Sequence, residues 1–373
     1  MGQLRDTLAE FRSRLPPWSS KALAFALIAF AVVLPFTQPQ ANTFMFNCTL
    51  SMAYIVMALG LNTVVGFAGL LDLGYVAFFA LGAYTSGWFS SGFFATVNHS
   101  KGIHVGVSKF LSALPGIHLN WLIVVVIAAV ICSIAGIIIG LPTLRLRGDY
   151  IAIVTLAFGE IIRIFAINGD SISLGHGATL TAGRQGITPV DQLDLPFLQP
   201  FNQLNLRPWY WTALVMALIL LFVNTRVRDS RLGRAWIAIR EDEVAAASMG
   251  VPLVRTKLMS YATGAAFGGI SGAFLGPFLN TVNADQFQFG FSILILAMII
   301  LGGLGSVWGA CAGAVALTFL QYYFIQDKWQ NVPHDLGLNF QMSDISYLIY
   351  GFLLVLMMLL RPQGLIPERG GGR

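Results

Sequence analysis

The chain has 373 residues, of which 56% are hydrophobic and 10% charged, and a mean hydropathy of +0.72. A soluble globular chain carries about 25% charged residues, so the composition excludes a soluble class and identifies an integral membrane protein. The net charge of +5 is then no sign of nucleic-acid binding. Lys and Arg report topology here, because they collect in cytoplasmic loops.

Residues 1–21 carry Arg5, Arg12, Arg14 and Lys21 ahead of the apolar run 22–36. Such an order fits a cleaved leader or a retained span. Pro35 and Pro39 make a poor small-residue cleavage site, so a retained first span is expected. Residues 44–91 contain no Lys or Arg, and Asp72 is their only charge. At about 20 residues per crossing they suffice for two spans, turning in the glycine-rich centre 60–75. A polar connection, 92–118, leads to a span over 119–141 and a short loop with Arg145 and Arg147. Further spans are expected over 150–167 and 209–223, separated by the longest polar connection, 168–208. Beyond the basic segment 226–257, the span 258–279 carries Gly264, Gly268, Gly272 and Gly276 on one stripe. The apolar run 289–325 is interrupted by Gly302, Gly303, Gly305 and Ser306 and reads as two short spans. The last span is 345–360.

Because helices satisfy their own backbone groups in lipid, the expected fold is all-α. It is a polytopic transmembrane bundle of about ten spans, or eight if the hairpins at Gly66 and Gly303 are re-entrant. Alternate connections then hold unequal charge. One side has four basic residues in 1–21, two at Arg145 and Arg147, seven in 226–257 and three in 361–373. The other has only Lys101, Lys109, Arg184, Arg207 and Lys328, and Arg163 lies within a span. Both termini are therefore expected in the cytoplasm. Residues 1–373 form a single transmembrane domain, with 1–21 and 361–373 as tails and 226–257 as a cytoplasmic loop. Trp18, Trp88, Trp121, Trp209, Trp211, Trp308 and Trp329 fall near span ends, where interfacial belts form. Cys48, Cys132 and Cys311 read as buried small hydrophobes. His99, His104, His118, His176 and His334 fall in polar connections and read as solvated, with no metal-binding spacing.

The segment 226–257 holds seven of the 22 basic residues between two spans. Leu232, Trp236, Ile239 and Val244 fall near helical spacing, and Arg240, Glu241, Asp242 and Glu243 crowd beside that stripe. Gly250 and Pro252 form a stop signal. A short amphipathic helix of mixed charge suits a groove on another protein. A solvated connector and a helix resting on lipid headgroups are the alternatives. Trp236 inside it favours a protein contact.

Within the spans the ionisable residues are few. Glu160 and Arg163, three apart on a helix, read as a structural ion pair. Asp72, beside the glycine-rich turn with Asn62 and Tyr75, reads as a pathway residue or an interfacial carboxylate. The glycine stripes 264–276 and 305–313 read as close helix packing. Gly66, Gly69, Gly302 and Gly303 are expected to break helices near the midplane, where exposed backbone groups meet a polar substrate. No phosphate loop, zinc-protease motif or nucleophile triad is present. An ion-coupled transporter would want more intramembrane carboxylates than Asp72 and Glu160.

Five strings carry a resemblance: LGLNTVVGFAGLLDLGYVAFFALGAY (59–84), LRLRGDYIAIVTLAFGEIIRI (144–164), TAGRQGI (181–187), SRLGRAWIAIREDEVAAASMGV (230–251) and LGGLGSVWGACAGA (301–314). In this order they resemble the permease subunits of branched-chain amino acid ABC importers, M-type. The resemblance implies a bacterial inner-membrane subunit that is not itself an enzyme. Its implied partners are a second, H-type permease, two ATP-binding cassette subunits and an extracytoplasmic binding protein delivering leucine, isoleucine or valine. No cofactor is implied on this chain, since ATP and Mg belong to the partner ATPases. The 230–250 helix is then the coupling element, similar to the EAA-type loop, with Glu243, Ala245, Ala246 and Gly250 as its ingredients. Arg234, Trp236, Arg240, Glu241, Asp242 and Met249 are expected to share the coupling surface. Asn62, Gly66, Gly69, Asp72, Tyr75, Gly302 and Gly303 are expected along the translocation path. The seven-residue step from Glu243 to Gly250 departs from the usual six, and TAGRQGI departs from the more usual TGG start. Permeases for urea or short amides share much of this pattern.

Overall fold

The computed structural model describes residues 19–95, 102–107, 114–144, 150–175, 177–194, 201–202, 204–335, 341–361 and 363–366. Arg5, Arg12, Arg14, Trp18, His99, Lys101, Lys109, Arg145, Arg147, His176, Arg369 and Arg373 lie outside them. Among the described residues, helix α1 is Ser19–Thr37 and α2 is Thr43–Leu61, which runs on as π-helical turns through Asn62–Phe67. Helix α3 is Val76–Phe89, α4 Trp121–Thr143, α5 Tyr150–Asn168 and α6 Arg207–Asp229. The loop helices are α7, Arg231–Glu241, and α8, Glu243–Ser248. Then come α9, Leu253–Leu279; α10, Phe289–Gly302; and α11, Val307–Thr318, extended by the π-helical Phe319–Lys328. A short α12, Val332–Asp335, precedes α13, Ser346–Leu360. Among the described residues, seven helices are long and apolar enough to cross a membrane, and three apolar ones are shorter: Ile28–Thr37, Val76–Phe89 and Phe289–Gly302.

Local chemistry sets the boundaries. Asn42 caps α2 through Phe44 N–H, and Asn120 caps α4 through Leu122 N–H. Ser306 caps α11 through Gly309 N–H. Each side chain satisfies an amide that the first turn leaves without a partner. Helix α9 begins at Leu253, so Arg255 and Lys257 lie within it rather than in the loop.

Helix α9 is the hub of the bundle, packed on α2, α3 and α4. Its glycine stripe is what allows that. A Cβ on Gly264 would meet Val64 at 2.5 Å, one on Gly269 would meet Cys132 Sγ at 2.5 Å, and one on Gly272 would meet Phe79 O at 2.3 Å. In lipid, such backbone approach supplies packing that hydrophobicity cannot supply between helices. Tyr75 donates from its hydroxyl to Gly264 O (2.8 Å), and Ser271 to Ala53 O (2.8 Å), tying α3 and α2 to the hub.

Two expectations are corrected. Trp121 and Trp209 are not interfacial anchors. Both are buried, Trp209 edge-on to Phe201, Phe274 and Phe278, and Trp121 Nε1 donates to Ala273 O at 3.1 Å. His118 is not solvated. It is buried in a small sheet of β1, Ser90–Ser91, β2, Ile103–Val105, and β3, Ile117–Leu119. Its Nδ1 lies 2.5 Å from Asp191 Oδ2, and its ring stacks on His104. Asp191, about 70 residues further along the chain, closes that contact, so no local spacing announced it. Burial pushes the Asp191 carboxyl above its ordinary range, partly offset by His118.

Candidate functional site

The basic segment folds as two helices, not one. Ser230 caps α7 by accepting from Gly233 N–H, and α7 ends where Asp242 turns extended at φ −154°. Asp242 Oδ1 then accepts from Val244 N–H (2.9 Å) and Ala245 N–H (3.0 Å), starting α8. A side chain that competes for its neighbours' amides favours a new cap over helix interior. The break rotates Val244 away from the stripe expected of it, leaving it 79% exposed. Trp236 and Ile239 do form the buried face, and Trp236 Nε1 donates to Thr256 O (2.7 Å) at the start of α9. Gly250 takes the left-handed φ of 85° that its stop role requires.

Glu243 pairs with Lys257, Oε1 to Nζ 2.7 Å, and Lys257 is itself buried. The pair clips α8 to α9. Ala246 packs inward. Glu241, Asp242, Val244 and Met249 face outward, Met249 at 85% exposure, so the outward surface is mixed acid and apolar. Arg234 is exposed and donates to Asp229 O (2.8 Å), closing the α6–α7 corner.

Arg240 connects this platform to the bundle. Its guanidinium donates to Gly66 O, and its Cγ lies over Gly69, where a Cβ would sit only 2.8 Å away. Gly66 in turn closes on Asn62, whose Oδ1 accepts from Gly305 N–H at 2.9 Å. Asn62 is fully buried, so that acceptor spans two helix breaks in a dry site. Gly302 packs backbone to backbone on Gly309, with a Cβ 1.9 Å from Gly309 O. Gly303, at φ 127°, faces Gln363 O and Ile366 O, and Leu365 and Ile366 donate from their amides to Leu301 O and Gly302 O. Loop helix, both breaks and residues 363–366 therefore share one joint.

Asp72 and Tyr75 sit beside it. Asp72 lies in the turn between α2 and α3, buried, with Oδ1 accepting from Gly74 N–H (2.9 Å) and Oδ2 unpartnered. Burial pushes its carboxyl up to about 6, with the hydrogen bond from the Gly74 amide pulling the other way. Leu73 N–H donates to Thr155 Oγ1 on α5, and Val76 N–H to Ser292 Oγ on α10. Of the seven residues expected along a path, six are buried and only Gly69 is exposed. Gly66 and Gly69 meet Arg240 of α7, and Gly66 and Asn62 meet Gly305 beside Gly302 and Gly303, so these lie at the α7 end of the bundle rather than halfway along it. Glu160 and Arg163 stand apart on α5, paired at 3.0 Å and partly exposed. Among the described residues no three His, Cys, Asp or Glu gather as metal ligands.

The family model for the permease component of branched-chain amino acid transport systems matches residues 44–358. The high-affinity branched-chain amino acid transport system permease protein LivM of Escherichia coli strain K12 is 35% identical over 367 residues, covering 93% of this chain and 75% of that protein. The probable LivM of Methanocaldococcus jannaschii is 24% identical over 334 residues, 85% of this chain and 91% of its own. LivH of Escherichia coli strain K12 is 24% identical over 337 residues, 86% of this chain and 94% of its own. No solved structure matches.

Proposed function

The chain belongs to the permease component family of branched-chain amino acid transport systems, and from that premise we propose how its α7 end works. The protein is a multi-pass permease subunit of an ABC importer for branched-chain amino acids, not an enzyme. It pairs with an H-type permease, and the solute path runs along their shared boundary. Two ATPase subunits dock from the cytoplasm, one of them on the outward face of α7 and α8, where Glu241, Asp242, Val244 and Met249 stand exposed. A binding protein delivers leucine, isoleucine or valine at the opposite end. The basic residues of 226–257 support a reading with the α7 end and both termini on the cytoplasmic side of a bacterial inner membrane, crossed ten times by the seven long and three shorter apolar helices.

One observation carries the coupling mechanism: Arg240, on the docking helix, holds the Gly66 carbonyl, and Gly66 closes on the Asn62 that holds Gly305. Closure of the ATPases moves α7. The arginine then transmits that displacement to both helix breaks at once, because the glycine contacts between them leave no slack. The breaks are the hinge of alternating access.

The test is uptake into vesicles carrying the intact transporter, with labelled leucine and labelled urea, with and without ATP. ATP-dependent leucine uptake is expected. Urea uptake in its place would reassign the solute, and leucine uptake without nucleotide would remove the mechanism. Arg240→Gln is expected to lower uptake at least about tenfold, the scale of one charge-assisted hydrogen bond, while ATP hydrolysis continues.

A further inference from the structure

At the end opposite α7, a recess of about 160 Å³ opens between the Asn280–Gln288 connection, α10, the π-helical turns after α11, and α13. Its mouth carries the exposed Asp285 and Gln288, and its walls are Phe291, Leu294, Gln321 and Tyr350. Two buried polar atoms border it without a partner: Gln321 Oε1 and the hydroxyl of Tyr350, a residue only 3% exposed. A native interior rarely leaves such groups unpaired, and each one asks for an explanation. The floor is already satisfied, since Tyr54 and Tyr322 share a hydrogen bond of 2.8 Å.

We propose that this recess is a binding site for a zwitterionic aliphatic amino acid on its way across the membrane, an inference that rests on the importer reading above. The residues that border it include one carboxylate and no Lys or Arg, which suits a ligand with a cationic end rather than an anion alone. The ammonium takes Asp285 and the Gln321 carbonyl oxygen as acceptors, and the surrounding tyrosine faces favour a cation. The ligand carboxylate accepts from the Tyr350 hydroxyl. The side chain lies on Phe291 and Leu294. A volume of 160 Å³ is close to that of a cavity of ~150 Å³ that holds benzene, so a four-carbon branched side chain fits. Gly290 lets the Tyr347 ring lie against the backbone at the recess, since a Cβ there would meet the Tyr347 hydroxyl at 2.7 Å. This site was not legible in the sequence. Its members are spread from position 285 to 350, and none stands in a motif.

The test uses the intact transporter in proteoliposomes with saturating loaded binding protein. Asp285→Asn and Tyr350→Phe are each expected to lower ATP-dependent leucine uptake about tenfold, as for loss of a hydrogen bond to a charged group, with ATP hydrolysis kept within about twofold of the unaltered protein. Uptake by both variants within twofold of the unaltered transporter overturns the site. Failure of the unaltered transporter to take up leucine overturns the importer reading instead. Where a variant does not reach the membrane, Gln288→Cys decides: leucine is expected to slow its alkylation by a membrane-impermeant maleimide several-fold, and urea is not. Equal alkylation with and without leucine means the recess holds only water, and the proposal falls.

Discussion

The two ends of this bundle are held by opposite means. At the α7 end, backbone meets backbone: Gly302 on Gly309, Gly66 on Gly305 and Gly303 on Gln363 and Ile366. At the other end, backbone pairs in the small sheet and between Ile187 and Val282, and side chains add ties between the long connections. Asn120 reaches Gly106 O and Asp194 O, His118 reaches Asp191, and Arg207 donates to Gln38 O. Backbone contact has one geometry and little tolerance, so displacement passes through it undiminished. Side-chain ties swing on rotatable bonds and so tolerate displacement.

Substitutions at the α7 end are therefore expected to cost more than substitutions at the other. Trp236→Ala removes a fully buried indole and its bond to Thr256 O, at about 4 kcal/mol. The expected readout is a lower unfolding temperature in detergent together with faster tryptic cleavage at the exposed Arg231 and Arg234. Gly302→Ala drives a Cβ to within 1.9 Å of Gly309 O, where nothing flexible can yield, and about 3 kcal/mol is expected. Gly351→Ala is its control. It meets nothing within 4 Å, and exchange of a mid-helix glycine for alanine should shift stability by no more than about 1 kcal/mol, in the favourable direction. Equal losses for the two glycines would show that backbone closeness does not distinguish the joint.

Much of the joint was written locally, and so it was legible. The Trp236 face, the Gly250 stop and the glycine stripe of α9 follow from spacing and from the conformations these residues accept. The Glu160–Arg163 pair is an i,i+3 contact, visible in the same way. What escaped was long-range. Asn62 and Gly305 lie far apart in the chain, as do Arg240 and Gly66, and no periodicity encodes their meeting. Asp242 misled for a different reason. It sits inside an otherwise helical pattern, and only its side chain's capture of two amides splits α7 from α8. The π-helical turns at Asn62–Phe67 and Phe319–Lys328 were likewise hidden, since tertiary packing widens those turns.

Asp72 offers a pH-dependent probe of the α7 end. Its folded-state value, raised from 3.8 to about 6 by burial, means the fold prefers the protonated carboxyl. That preference contributes fully below the unfolded value and is lost as pH rises through about 6. At pH 7.5 the native protein thus carries a buried carboxylate at a cost of at most about 3 kcal/mol. Asp72→Asn keeps an oxygen for the Gly74 amide and removes the charge. It is expected to unfold at a higher temperature than the native protein at pH 7.5, with the gap closing as pH falls toward 4. A gap that stays constant with pH would mean that the fold leaves the Asp72 carboxyl at its ordinary value, and the burial argument falls.

The smallest effect is expected at the opposite end. Asn120 makes three hydrogen bonds: its oxygen caps Leu122 N–H at 3.0 Å, and its amide donates to Gly106 O and Asp194 O. By count alone, Asn120→Ala should rival the glycine variant. It is not expected to, because Gly106 is exposed and Asp194 half-buried, so water replaces what the side chain gave them. Only the cap is lost outright, worth about 1 kcal/mol. Thermal unfolding of Asn120→Ala beside Gly302→Ala measures the difference directly. If the asparagine variant loses as much, the connections it ties are as closely fitted as the glycine joint.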